Sequence, residues 1–419
     1  MAPILRAWAV QGSGKGDPLA LLAPGRGPSL AAAYAAEQRP LLLLARGRRE
    51  EAVAAVAPLL GDDGAGSERV RIALAAGLAR GGARAQALKL LDGDSEPLAA
   101  ARAAIAAGRR LPNAATGAPA GVADFLVRVA ADLQSQQVPD LALSFARLAT
   151  FLDPSNSEAW LLVSDVLAGR GRQAAALAAL GRVAPDDAYA AAAADRRLAL
   201  LVGSGRGAEA IAQARAAVGR GGDTEGWTRL GGLLSEAGQY DAAADAFARA
   251  LSLRDAAQRE PAWALELLQG TALTRAGKWG AARDALTRAY KLAPDQAVVL
   301  NVLGYSQLER RENLAEAERL IREASRLQPD DPAITDSLGW AYYVRGELPK
   351  AVELLERAAR GQPADAAINE HLGDAYYAAG RRYEARYAWR AALVAAEGGA
   401  AERLRAKIDL GLRPDLAAP

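Results

Sequence analysis

A glycine returns at a nearly fixed interval through the second half of the chain. Gly270, Gly304, Gly339 and Gly373 are separated by 34, 35 and 34 residues. Ala317, Ala351 and Ala385 fall 34 apart twice, and Pro329 and Pro363 are 34 apart. The extra residue between Gly304 and Gly339 falls near Asn313, in "RRENLAEA". Upstream, Gly231 precedes Gly270 by 39, with the excess in "RDAAQREPA". Fainter copies come earlier: residues 159–180 put Ser164 at the glycine position, and 123–154 and 196–217 keep mainly the spacing of small and apolar residues. A period of this length leaves few folds open. Each unit is one supersecondary element that cannot bury its apolar face alone, so the units must stack.

Each unit reads as two helices. In the first, apolar or small residues fall at i, i+3, i+4 and i+7, the signature of one helical face. Gly231, Gly270, Gly304, Gly339 and Gly373 lie in that face and let the second helix cross closely. The small residues Ala351 and Ala385 do the same from the other side. Gly277, Gly346 and Gly380, between the helices, suit a helix C-terminus that needs positive φ. The closing proline stops the second helix, and a neighbouring aspartate supplies the next N-cap. Composition agrees: alanine and leucine dominate, and aromatics make up only 5%, which favours helix over strand.

The residues Leu338, Gly339, Tyr342, Gly346, Ala351, Leu355, Ala358 and Pro363 follow a W-x2-L-G-x2-Y, G, A, bulky, A, P pattern. So do Trp227, Leu230, Gly231, Gly238, Ala243, Phe247 and Ala250. On these residues the chain resembles the tetratricopeptide repeat (TPR) family over roughly residues 123–394. The resemblance implies an all-α fold, a right-handed superhelical solenoid of antiparallel helix pairs. Four regions are expected: degenerate helical repeats over 1–108, a Pro/Gly/Ala linker over 109–121, the TPR solenoid over 122–399, and a C-terminal capping helix and tail over 400–419. The capping helix would present Leu404, Ile408 and Leu412 on one face.

Little in the sequence suggests catalysis. There is no cysteine, which excludes thiolate chemistry and disulfides, and His371 is the only histidine. A metal site usually needs three or four ligands, and His371 with Glu370 and Asp374 offers no second imidazole. No catalytic residue, metal or cofactor is expected. "GSGKG" at 12–16 departs from a phosphate loop: Ala9 occupies the first glycine position and Gly16 follows the lysine. It reads as a flexible N-terminal segment. Fifty-one basic and 49 acidic residues nearly cancel, so no global field favours nucleic acid. No apolar run approaches the roughly 20 residues of a transmembrane helix.

The resemblance also assigns a groove. In TPR proteins certain positions of the first helix point into the concave face. Here they are Asn301 and Tyr305, then Asp336, Trp340 and Tyr343, then Glu370, His371, Asp374 and Tyr377. The inferred lining is aromatic and acidic. It lacks the cationic cluster with which chaperone-binding TPR proteins grip a C-terminal carboxylate, so that ligand is not expected. A protein or peptide partner with basic or hydrogen-bond-donating groups suits it better. Residues 225–412 resemble bacterial TPR scaffold or adaptor proteins, often exported or outer-membrane lipoproteins, some of which bind a processing protease. The expected function is a non-catalytic scaffold. Two alternatives are a helper subunit of an enzyme or protease complex that uses the N-terminal third, and an RNA-binding helical-repeat protein. Residues 1–17 do not read as a signal peptide. That suggests the cytoplasm, or the periplasm and outer membrane if translation starts upstream.

Overall fold

A computed structural model describes residues 1–22, 29–60, 65–112, 114–254, 261–416 and 418. Among them are 23 α-helices, in adjacent packed pairs, and no strand. The chain divides into two compact units, Met1–Ala210 and Ile211–Pro419.

The first unit holds α1 (Ala2–Ser13), α2 (Leu30–Ala45), α3 (Arg49–Val56), α4 (Ala65–Arg80), α5 (Arg84–Leu90), α6 (Glu96–Ala106), α7 (Ala118–Ser135), α8 (Pro139–Leu152), α9 (Ser157–Gly169), α10 (Gln173–Leu180) and α11 (Ala190–Gly203). Helix–glycine–helix pairs recur. Gly47, Gly82 and Gly171 join α2 to α3, α4 to α5 and α9 to α10, with φ of 77°, 83° and 70°. The N-terminal residues are not a flexible segment. Ile4, Ala7 and Trp8 form a buried i, i+3, i+4 stripe on α1, and Gly14 caps that helix at φ 67°. The "GSGKG" residues thus follow a helix, where a phosphate loop follows a strand. Trp8 sits over Gly121 of α7, where a Cβ would overlap its ring.

Beneath Trp8 lies a buried polar network. Its indole donates to Gln38 Oε1 (2.8 Å), and Gln38 Nε2 donates to Asp124 Oδ2 (2.7 Å). Arg69 pairs with Glu37 at 2.5 Å and with Asp124. Burial of the guanidinium is tolerable because two carboxylates meet it. Arg80 donates to the carbonyls of Leu111 (2.7 Å) and Pro112 (2.6 Å), and Leu111, Ala114 and Ala115 are buried.

α12 (Gly207–Val218) spans the division, and the rest of the second unit is five hairpins and one further helix. The hairpins are α13 (Thr224–Glu236) with α14 (Tyr240–Leu253), α15 (Ala262–Arg275) with α16 (Trp279–Leu292), α17 (Ala297–Glu309) with α18 (Leu314–Leu327), α19 (Pro332–Val344) with α20 (Leu348–Gly361), and α21 (Ala366–Ala378) with α22 (Arg382–Ala395). Then comes α23 (Gly398–Leu410). Within a hairpin the glycine of the first helix meets a bulky side chain of the second. Gly231 faces Phe247, Gly270 faces Leu286, Gly304 faces Ile321, Gly339 faces Leu355 and Gly373 faces Trp389. Ala351 and Ala385 are fully buried at these crossings.

The turns follow the chemistry of helix ends. Gly277, Gly346 and Gly380 have φ of 75° to 82°, and Lys278 N–H donates to the Leu273 carbonyl at 2.9 Å, the bond that satisfies an orphan carbonyl past a helix end. Asp331 and Asp365 cap α19 and α21, accepting from Ile334 N–H (3.0 Å) and Ile368 N–H (2.9 Å). The turn between α17 and α18 carries the inserted residue. There Arg311 and Asn313 take φ of 54° and 47°, so a non-glycine residue occupies the left-handed conformation that glycine holds in the other four turns, Gly238 among them at φ 71°.

Candidate functional site

The first helices of four consecutive repeats, α15, α17, α19 and α21, line a cavity of about 650 Å³. Its walls include Asn301, Tyr305, Asp336, Glu370 and His371, together with Arg403 from α23. Asn301 Oδ1 is buried and accepts from no protein group.

Behind this wall the aromatics are stacked. Trp340 is buried between Tyr343 on its own helix (ring centroids 4.4 Å) and His371 of the next repeat (4.2 Å). His371 is itself buried, and its Nδ1–H donates to the Asp336 carboxylate at 2.9 Å. The Tyr305 hydroxyl stands 3.4 Å from Nε2. One interlocked group therefore joins Tyr305, Asp336, Trp340, Tyr343 and His371, from three repeats. Burial alone would lower the imidazole pKa, but the Asp336 carboxylate outweighs it and holds the value above the usual histidine range. Burial and nearby carboxylates raise the Tyr305 phenol well above 10, and burial raises Tyr343 to about 12, so both remain protonated.

The two carboxylates of α21 are met by α23. Arg403 donates to both oxygens of Glu370 at 2.8 Å. Lys407 has no solvent exposure. Its ammonium donates to Glu370 Oε1 at 2.7 Å and to both oxygens of Asp374 at 2.8 Å. Asp374, equally buried, also accepts from the Trp389 indole (2.8 Å) and the Ala418 N–H (2.9 Å). Burial opposes ionisation of Glu370, yet Arg403 and Lys407 prevail and hold its pKa low. For Asp374 burial prevails, and its pKa is raised despite Lys407. Tyr377 packs against Trp389 (5.6 Å) and over Gly411, whose φ of 84° is left-handed.

The sequence register thus names residues that stand together on three adjacent helices. It misses those that complete the site: Arg403, Lys407 and Ala418. Leu404, on the apolar face that the sequence predicts, is fully buried against α22. Lys407, three residues on, shares that face, and a basic residue there opposite an acidic lining is the one signal that could have found it.

A protein-family profile described as tetratricopeptide repeat matches residues 121–397. A 58-residue stretch is 50% identical to a TPR repeat-containing protein of Pseudomonas aeruginosa; it spans 14% of this chain and only 10% of that protein. Among solved structures, a tetratricopeptide repeat protein from Parabacteroides merdae is 12% identical, with coverage of 69% of this chain and 98% of that one and a TM-score of 0.43. A thermophilic TPR protein of Thermus thermophilus is 24% identical, with coverage of 45% and 98% and a TM-score of 0.38. Among the described residues no helix is long and apolar enough to cross a membrane. The profile match covers well over half of the sequence, and the chain belongs to the tetratricopeptide repeat family.

Proposed function

We propose that the protein is a non-catalytic scaffold that binds a protein partner through the groove of its last three repeats. Asn301, Tyr305, Asp336, Glu370 and His371 form the contact wall in this reading. Trp340, Tyr343, Asp374 and Tyr377 extend that surface along α19 and α21. The observation that carries the reading is the cavity of about 650 Å³ lined by the first helices of consecutive repeats. Glu309, Asp336, Asp365 and Glu370 share the wall with Arg275, Arg310 and Arg403, so it suits a partner segment that brings both donors and acceptors.

The test is affinity purification of partners on the full chain and on an Asn301→Ala, Tyr305→Ala variant, with helicity as the folding control. Loss of specific partners at unchanged helicity is the expected result. Identical partner recovery from both chains would remove the groove assignment.

A further inference from the structure

A segment of the chain already docks on helices that line the groove. After α23, Gly411 turns under Tyr377, a single 3-10 turn covers Pro414–Leu416, and the Ala418 N–H reaches Asp374. The Ala418 methyl belongs to the buried cluster of Leu308, Leu338, Trp340 and Ala341. Ala418 therefore reaches groups from α17, α19 and α21, three of the helices that line the cavity. Between its two anchors the segment is open: Arg413, Pro414 and Asp415 are exposed. Arg413 pairs with Asp415 at 2.6 Å.

α23 and the segment that follows it are held differently. Leu404 and Lys407 are fully buried, which fixes the helix on α21 and α22. Among its described residues the segment makes one backbone–backbone hydrogen bond, Leu416 N–H to the Arg413 carbonyl at 2.9 Å, and one bond to the groove helices, Ala418 N–H to Asp374. Leu412 and Leu416 are half-buried and Ala418 is its one buried side chain, sparse anchoring of the kind that opens locally at little cost. The docking chemistry is also that of an extended peptide: a backbone N–H on a buried carboxylate, and a methyl group in an aromatic-walled site.

We infer that residues 412–418 are a displaceable ligand in cis. The groove accepts an extended peptide that presents a backbone N–H to Asp374 and a small apolar residue to the Trp340 cluster, and such a peptide must compete with the chain's own segment. This rests on the groove reading given above. A tethered ligand acts at an effective concentration on the order of 1 mM. If the free segment binds with a Kd of roughly 100 μM, self-occupancy weakens an incoming peptide about tenfold.

The test uses a fluorescent peptide of residues 412–419, LRPDLAAP, and fluorescence anisotropy. Three proteins are compared: the full chain, a chain ending at Gly411, and the full chain with Ala418→Asp. The substitution sets a second carboxylate against Asp374 and so expels the segment without shortening the chain. Both variants should bind the peptide about tenfold more tightly than the full chain, and a peptide carrying the same Ala418→Asp change should bind neither. Equal affinity for all three proteins, or no binding by the two variants at unchanged helicity, overturns the inference. Partner recovery on the Asn301→Ala, Tyr305→Ala variant reports on the groove reading separately, so either idea can fail alone.

Discussion

Lys407 offers the sharpest test of how the second unit is held. Its ammonium has no exposure and donates to three carboxylate oxygens at 2.7–2.8 Å. Lys407→Met keeps the length of the side chain and removes the charge. Glu370 retains Arg403, whereas Asp374 keeps only the Trp389 indole and the Ala418 N–H and has no cation. Breaking a buried pair by deleting one partner typically costs about 3–5 kcal/mol. In a repeat array that loss falls first on the nearest element, so α23 should detach before the unit unfolds. Amide exchange resolved on α23, together with urea unfolding, is the assay. Adding Asp374→Asn should recover most of the loss, because it removes the stranded charge. The defect should also be pH-dependent. Asp374 already has a raised pKa, and losing Lys407 raises it further, so the folded variant holds a proton that the unfolded chain gives up. Stability of Lys407→Met should therefore rise as pH falls toward 5 and drop as it rises. A loss under about 1 kcal/mol, with unchanged exchange on α23 at pH 8, would refute the argument that this ammonium compensates the buried carboxylates.

Other predictions follow from packing, backbone and protonation. A leucine at Gly339 would force side-chain atoms into Leu355, whose Cγ lies 2.8 Å from the position of a Cβ; a loss of about 1–3 kcal/mol in urea unfolding is expected. Arg311→Gly places glycine at φ 54° and should stabilise the second unit by about 0.5–1 kcal/mol, read as a higher urea midpoint at unchanged slope. In the first unit, burial beside Arg69 raises the Glu158 carboxyl from 4.5 to about 7. Folding therefore retains a proton between those pH values, and stability should fall as pH rises through that window, by at most about 3 kcal/mol. Exchange on α9 measured at pH 5 and pH 8 checks this, and Glu158→Gln should flatten the difference.

The repeating part of the fold was legible because each of its determinants is local. The 34-residue interval, the glycine opposite a bulky side chain, the turn glycine and the aspartate cap all lie within one hairpin, so a single pass along the chain displays them. Even the inserted residue near Asn313 announced the one turn where Arg311 and Asn313 take left-handed conformations. What stayed hidden depends on distant partners. Lys407 shares the apolar face of its helix with Leu404, but nothing nearby says that carboxylates 33 and 37 residues upstream will receive it. Trp340 occupies a groove position by register, yet its ring is covered on both faces by Tyr343 and His371. Register gives the face of a helix, not which neighbour arrives on it. Trp8 was passed over for the same reason: it lies in a short apolar run, and its counterpart Gly121 is far along the chain.

That last contact sets an order of events during synthesis. In the second unit each hairpin from α13 to α22 closes through glycine–bulky contacts between helices adjacent in sequence, so a pair can form soon after it leaves the ribosome. The first unit cannot close in this way. Trp8 and Gln38 find their partners only when Gly121 and Asp124 have been made, and the Arg69 guanidinium needs the same aspartate. Until then α1, α2 and α4 expose apolar and charged groups meant for the interior. The nascent chain should pass through a window, ending near residue 124, in which it is most open to chaperones and proteases, while the repeats that follow emerge almost ready folded.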